Sequence, residues 1–511
     1  MSILNYSRRD FLKTIGFSAA SLAITGCTST TGLPSGKKPN ILFCLADDWA
    51  WPHASIAADK VVKTPTFDRV AREGVLFENA FVSSPSCTPS RGAILTGQWH
   101  WRLEEGGNLW STLPAKFDVY TDMLESAGYH VGYTRKGWAP GYNEPGGRTR
   151  NPAGPRYKNF TEFMEARPQG KPFCFWFGST DPHRGYKWQS GINSGMKLQD
   201  VEVPACFPDS REVRTDICDY YWEVQRFDTE VGELLKSLEK NGELDNTLVV
   251  ISGDNGMPFP RCKSNLYDLG TNVPLAVRWP AAVKGGRAVE DFISLSDLAP
   301  TFLEAAGLKP TKDMTARSFL NILTSGKSGR VDKKRSHVLT GKERHVPSQQ
   351  TGPAGYPMRA IRTHDFLYIR NFKPNRWPSG HAKGYAKPTE IDVSKPRGTH
   401  YGYADVDAAP TKSYMLKYRN EPQVAKLFDL AFAKRPAEEL YDLSKDPDQL
   451  NNVAGKPEYA KVKNRLAADL LVELKATRDP RVLGRGDTFD NYPYYGGGVK
   501  GVSQKPTPKK D

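Results

Sequence analysis

Three apolar runs, each spilling into polar residues, constrain this chain more than any other feature. NILFCLA at residues 40–46 runs into Asp47-Asp48, FCFWF at 173–177 into a segment carrying Thr180, Asp181 and His183, and TLVVIS at 247–252 into Gly253-Asp254-Asn255. Four to six uninterrupted apolar residues leave no face for water, so each run suits a strand buried on both sides of a parallel sheet. Helical signals lie between them. Thr64-Pro65 offers an N-cap and a first-turn proline, and Gly74 a stop. Short helices are expected at 89–95, 120–126 and 300–306. Residues 216–238 place Tyr220, Val224, Phe227, Val231, Leu235 and Leu238 at helical spacing. Further strands are expected at 75–82, 130–134, 275–279 and 292–295. This alternation predicts a large α/β/α domain with a mostly parallel central sheet. Such sheets bind ligands beyond the carboxyl ends of their strands, where the acidic pairs fall.

The character changes near residue 346, where Pro, Gly, Tyr and Lys become frequent. Strand-like pieces at 358–362 and 366–369 and a helix at 461–474 predict a smaller α+β domain over 346–511, with a long surface loop at 373–417 and a surface tail after 479. The catalytic domain is expected at 38–345. With 38% hydrophobic and 25% charged residues, the 511-residue chain is neither collagenous nor largely disordered. Seven Cys are too few for a disulfide-built scaffold, although Cys206 and Cys218 form a candidate pair. The net charge of +14 favours a polyanionic partner. No nucleic-acid motif accompanies it, so no nucleic-acid partner is expected.

Residues 1–37 read as an export segment and tether. Arg8-Arg9 begins SRRDFLK, an apolar stretch follows, and Ile24-Thr25-Gly26-Cys27 closes it. SRRDFLK resembles a twin-arginine signal and ITGC a bacterial lipobox. The resemblance implies passage through the twin-arginine export machinery, lipid on Cys27, residence in the periplasm or at the outer membrane, and membrane contact only through that anchor.

Two clusters carry chemistry. Asp47, Asp48, Asp254 and Asn255 offer carboxylate and amide oxygens without His or Cys among them, a donor set for a hard cation such as Ca²⁺ or Mg²⁺. Cys87 opens CTPSRGAILTG at 87–97, just ahead of a helix start whose free N–H groups favour an anion. Arg91 lies one turn further on. This motif resembles the maturation signature of type I sulfatases. The likeness spans roughly residues 39–480 and is nearest to the N-sulfoglucosamine sulfohydrolase-like bacterial glycan sulfatases.

The resemblance implies an alkaline-phosphatase-like fold. It implies that a formylglycine-generating enzyme oxidises Cys87 to formylglycine (3-oxoalanine), and that Asp47, Asp48, Asp254, Asn255 and residue 87 hold Ca²⁺, with Mg²⁺ the lesser choice. It implies that Lys136, His183 and Lys263 contact sulfate or the leaving oxygen. In the family a His usually follows the Lys-Trp pair. Here Lys136-Gly137-Trp138-Ala139 lacks it, which leaves that role unassigned. Arg344 and His345 are expected to face the sugar. EELYDL at 438–443 resembles the family's C-terminal signature. The implied activity is removal of sulfate, as ester or sulfamate, from a sulfated glycan. Two alternatives share the residues: a phosphatase or phosphodiesterase of the same fold, which needs a Ser or Thr nucleophile and His ligands, and a lipid-anchored glycan binder without catalysis.

Overall fold

The structure is a computed structural model that describes residues 38–349, 352–382, 387–395 and 402–496. The leader, with Arg8, Arg9 and Cys27, lies outside the described residues. The main sheet has seven strands in the order β4–β5–β1–β6–β7–β2–β8. They are β1 (Asn40–Ala46), β2 (Val75–Phe77), β4 (His130–Arg135), β5 (Phe173–Gly178), β6 (Thr247–Gly253), β7 (Leu275–Arg278) and β8 (Arg287–Val289). All neighbours run parallel except the two pairs that β7 makes, with β6 and with β2.

The apolar runs behave as their composition demands. Alternate β1 side chains enter two separate cores: Ile41, Phe43 and Leu45 on one face, and Leu42, Cys44 and Ala46 on the other. Helices cover both faces, giving the expected α/β/α sandwich. On the second face lies a long helix, Arg211–Lys240, capped by the Ser210 hydroxyl, which accepts from the Val213 N–H. It outruns the expected 216–238 because that cap extends it beyond its apolar stripe.

Several expectations are corrected. The strand predicted at 75–82 breaks into β2 and β3 (Ala80–Phe81). Asn79 stands at the break, its amide donating to the Glu290 carbonyl, and β3 pairs instead with β9 (Ile293–Ser294). The helix predicted at 89–95 begins at Cys87 and ends at Thr96, which places the cysteine inside the first turn. Cys206 and Cys218 are not bonded to each other. Cys218 lies in the helix core, and the thiol beside Cys206 is that of Cys262.

A second, antiparallel sheet comprises β10 (His337–Lys342), β11 (Met358–Thr363), β12 (Phe366–Asn371) and β13 (Glu438–Asp442). Helix Ala460–Ala476 packs Leu466, Leu470 and Leu474 against one face. The other face takes Leu266 and Tyr267, from the loop after β6. Helix Pro410–Lys417 forms at the end of the expected surface loop, and with helix Pro422–Phe432 just beyond it and with Ile391 and Tyr403 it builds a small core. Among the described residues no helix is long and apolar enough to cross a membrane.

Candidate active site

Register assembles the site. Ala46 of β1 sits opposite Gly253 of β6, so the residues that follow the two strands leave the sheet side by side. The Asp48 N–H donates to Asp254 Oδ1 at 2.9 Å, and Asp48 itself takes a left-handed φ of 76°. A Cβ on Gly253 would stand 2.4 Å from the Trp49 carbonyl oxygen, so this close crossing requires glycine.

Cys87 follows the N-cap Ser86 on the facing helix. Its Sγ lies 3.5 Å from Asp47 Oδ1, 3.9 Å from Asp48 Oδ1 and 3.8 Å from Asn255 Nδ2. One ligand atom from each of Asp47, Asp48, Cys87 and Asp254 falls within a 4.8 Å cluster, all four residues buried. Asn255 Oδ1 is buried beside them with no hydrogen-bond partner. A buried amide oxygen is costly to leave unpaired. With the carboxylates it makes the oxygen-rich donor set that a hard cation takes, so these residues fit one.

Three cationic side chains surround the acids. Arg91 is wholly buried. Its Nε donates to Asp254 Oδ2 at 2.7 Å, and one Nη donates to the Lys136 and Gly137 carbonyls at 2.8 and 2.9 Å. The other Nη has no hydrogen bond and stands 3.6 Å from Asp47 Oδ1. Lys136 Nζ donates to Asp47 Oδ2 at 2.5 Å. Lys263 Nζ donates to Asp48 Oδ2 at 2.7 Å and to Asp407 Oδ2 at 3.3 Å. His183 Nε2 is 3.8 Å from Asp48 Oδ2.

Charge divides the acids. Burial, only partly offset by Arg91, pushes Asp254 up to about 6. Burial acts on Asp47 too, but Lys136, His183, Arg91 and Lys263 together hold it well below the usual carboxylate range. Burial raises the Cys87 thiol far above its ordinary value, and Lys136 and Lys263 do not compensate.

Cys87, Asp47, Lys136, His183 and Lys263 all line one cleft of about 570 Å³. His345 lines it as well, its Nδ1 2.8 Å from the Ser86 hydroxyl. Burial lowers this imidazole to about 4, so it is neutral near pH 7. Arg344 is a correction: it does not reach the cleft. Its guanidinium donates to the carbonyls of Pro353, Tyr492 and Pro493, because a buried guanidinium must satisfy its donors and a C-terminal strap supplies the acceptors.

Sequence reasoning missed Asp407, Asp181, Glu223, Arg226 and Trp110, which also line the cleft. Asp407 falls in the aperiodic stretch, with no local signal. Glu223 and Arg226 stand three residues apart on the long helix and pair with each other, a spacing that gives no sign of a cleft.

The comparisons with known proteins agree with one another. A family model described as Sulfatase matches residues 39–308, and one described as N-sulphoglucosamine sulphohydrolase, C-terminal, matches 262–372. An ulvan-active sulfatase of Formosa agariphila is 27% identical over 508 residues, covering 89% of this chain and 77% of its own. The Homo sapiens N-sulphoglucosamine sulphohydrolase is 28% identical over 502 residues, covering 88% and 93%. A solved structure of a protein with its substrate D-glucosamine-2-N,6-O-disulfate superposes with a TM-score of 0.59 at 20% identity, covering 87% of this chain and 99% of that one.

Proposed function

From the premise that this chain belongs to the sulfatase family, we propose that it hydrolyses the sulfate ester or sulfamate of a sulfated carbohydrate. The observation that carries this reading is the buried residue 87, set against three acids and an amide and ringed by Arg91, Lys136 and Lys263. The acid cluster would balance the charge of a bound cation, and Lys136 and Lys263 face the cleft where an anionic sulfuryl group must enter. The relatives named for ulvan and for N-sulphoglucosamine support a glycan substrate.

Asp47, Asp48, Asp254, Asn255 and residue 87 are the residues that would hold the cation, with Ca²⁺ preferred over Mg²⁺. When bound, the cation withdraws charge from sulfate and acidifies the nucleophile. A maturation enzyme converts Cys87 to formylglycine, whose hydrate supplies an oxygen nucleophile and then releases sulfate as the aldehyde reforms. The chain's other residues bind and move protons. Arg91 fixes Asp254 and the backbone after Lys136, so that Lys136 projects beside residue 87. Lys136 and Lys263 pair with sulfuryl oxygens when substrate displaces their carboxylate contacts. His183, partly exposed at the cleft mouth, gives its proton to the leaving oxygen.

The leader supports export by the twin-arginine route and a periplasmic or outer-membrane location through lipid on Cys27. The deciding experiment is peptide mass spectrometry across residue 87, on protein purified from its own host. Formylglycine there upholds the reading. Unmodified cysteine in well-folded protein would overturn it in favour of a glycan binder.

A further inference from the structure

Trp110 has a backbone that its side chain disfavours. Its φ is +52°, a left-handed conformation that is a genuine outlier for a bulky residue and survives only where surrounding structure imposes it. The surrounding structure is specific. The Leu109 N–H donates to the Arg344 carbonyl at 3.0 Å, and the Tyr495 N–H donates to the Trp110 carbonyl at 2.9 Å. Gly496 lies between the Tyr494 ring and the indole, so that a Cβ there would sit 2.5 Å from Tyr494 Cζ and 2.8 Å from Trp110 Cγ. Tyr142 and Tyr495 pack ring to ring nearby, with centroids 5.8 Å apart. Arg344 clamps this strap from below through the carbonyls of Tyr492 and Pro493, each at 2.8 Å. Trp110 borders the cleft that holds Cys87, Lys136 and His183.

A half-buried tryptophan in a strained backbone, at a cleft that also holds Lys136, His183, Arg226 and Lys263, has a clear chemical use. The cations meet sulfate, but a sugar also presents an apolar face of C–H groups, and a flat aromatic surface is what such a face packs against. We propose that Trp110 is the platform on which the pyranose ring of the substrate stacks, and that the strap at residues 492–496, clamped by Arg344, sets its position. This rests on the glycan-hydrolase reading and adds the residue that selects the sugar. Arg344 thus serves the sugar without touching it, as a positioning residue.

The test uses full-length enzyme whose residue 87 has been shown to be formylglycine, with ulvan oligosaccharides and D-glucosamine-2-N,6-O-disulfate as probes. Trp110→Ala should raise KM about tenfold with kcat within about threefold, the mark of lost binding common to ground and transition states. Trp110→Phe, which keeps a flat ring, should recover part of the loss. Gly496→Val, which crowds both Tyr494 of the strap and the indole and lies outside the cleft lining, should raise KM in the same direction. A second arm needs no turnover: calorimetric affinity of Cys87→Ala protein for the same probes should fall about tenfold when Trp110→Ala is added. If wild-type enzyme cleaves neither probe, the glycan-hydrolase reading fails for them, and this binding arm still decides the platform. An affinity in the double variant equal to that of Cys87→Ala alone overturns the platform. A wild-type KM in Gly496→Val overturns the role of the strap. If Trp110→Ala does not fold, Trp110→Phe and Gly496→Val carry the same decision.

Discussion

Cys87 is poorly placed to act as a thiol. Burial and the charges of Asp47 and Asp254 favour its neutral form, and a protonated thiol is a weak nucleophile. The same surroundings suit an oxygen nucleophile beside a cation, which is why formylglycine fits the geometry better than the residue as encoded. Cys87→Ala should therefore abolish sulfate release while melting with wild-type cooperativity, since it removes one small buried atom and no ion pair. Wild-type-like turnover in that variant would sink the mechanism. Asp254 differs, because Arg91 Nε depends on it and both side chains are fully buried. Asp254→Ala should abolish activity too, and should also cost about 3–5 kcal/mol by removing the buried carboxylate to which Arg91 Nε donates, with only the longer contact to Asp47 left to balance the guanidinium. Denaturant titration of the two variants side by side separates the chemical loss from the structural one. The six residues that the motifs mark most directly (Asp47, Asp48, Cys87, Arg91, Asp254 and Asn255) were legible because they follow a strand or lie in the first turns of one helix, where local sequence fixes position. Arg344 misled because a charged residue beside His345 carries no sign of which way it points.

At the scale of elements, the parallel register of β1 and β6 does most to build the site, and it was readable from two apolar runs that both end in acid. What could not be read was the contribution of helix Arg211–Lys240 to the cleft. Its apolar stripe announced the buried face, while Glu223 lies outside that stripe and carries no local signal of burial. In the folded chain burial pushes Glu223 up to about 7, with Asp181 raising it further and Arg226 opposing. The folded state therefore holds this proton more tightly than the unfolded chain. The stability it contributes is complete below the ordinary glutamate value and is lost as pH rises through about 7. Between pH 5 and pH 8 the wild type should lose roughly 2 °C more in Tm than Glu223→Gln, which cannot titrate. Parallel pH profiles in calorimetric melts would refute this if both variants shared one slope.

Across the whole molecule, the cleft draws on segments that sequence separates widely. Lys263 lies between Asp48, beyond β1, and Asp407, contributed by the small core around helix Pro410–Lys417. The second sheet packs on the loop that carries Lys263, through Leu266 and Tyr267. No local pattern reveals such a long-range meeting, because Asp407 acquires its role only when both sheets are in place. The arrangement also makes metal binding a property of the entire fold. The carboxylates of Asp47, Asp48 and Asp254 converge only in the folded state, so a cation that binds there should stabilise the whole chain by mass action. At a free concentration one hundred times its Kd, Ca²⁺ should contribute about 2.7 kcal/mol. Chelator-treated protein should melt several degrees lower, and Ca²⁺ should restore Tm with a larger shift than equimolar Mg²⁺, whose octahedral demand matches this irregular donor set less well. Asp47→Asn with Asp254→Asn should remove the response to either ion. Were that double variant to keep a full calcium shift, the stabilising cation would have to bind elsewhere, and the buried cluster around residue 87 would lose its claim to be the metal centre.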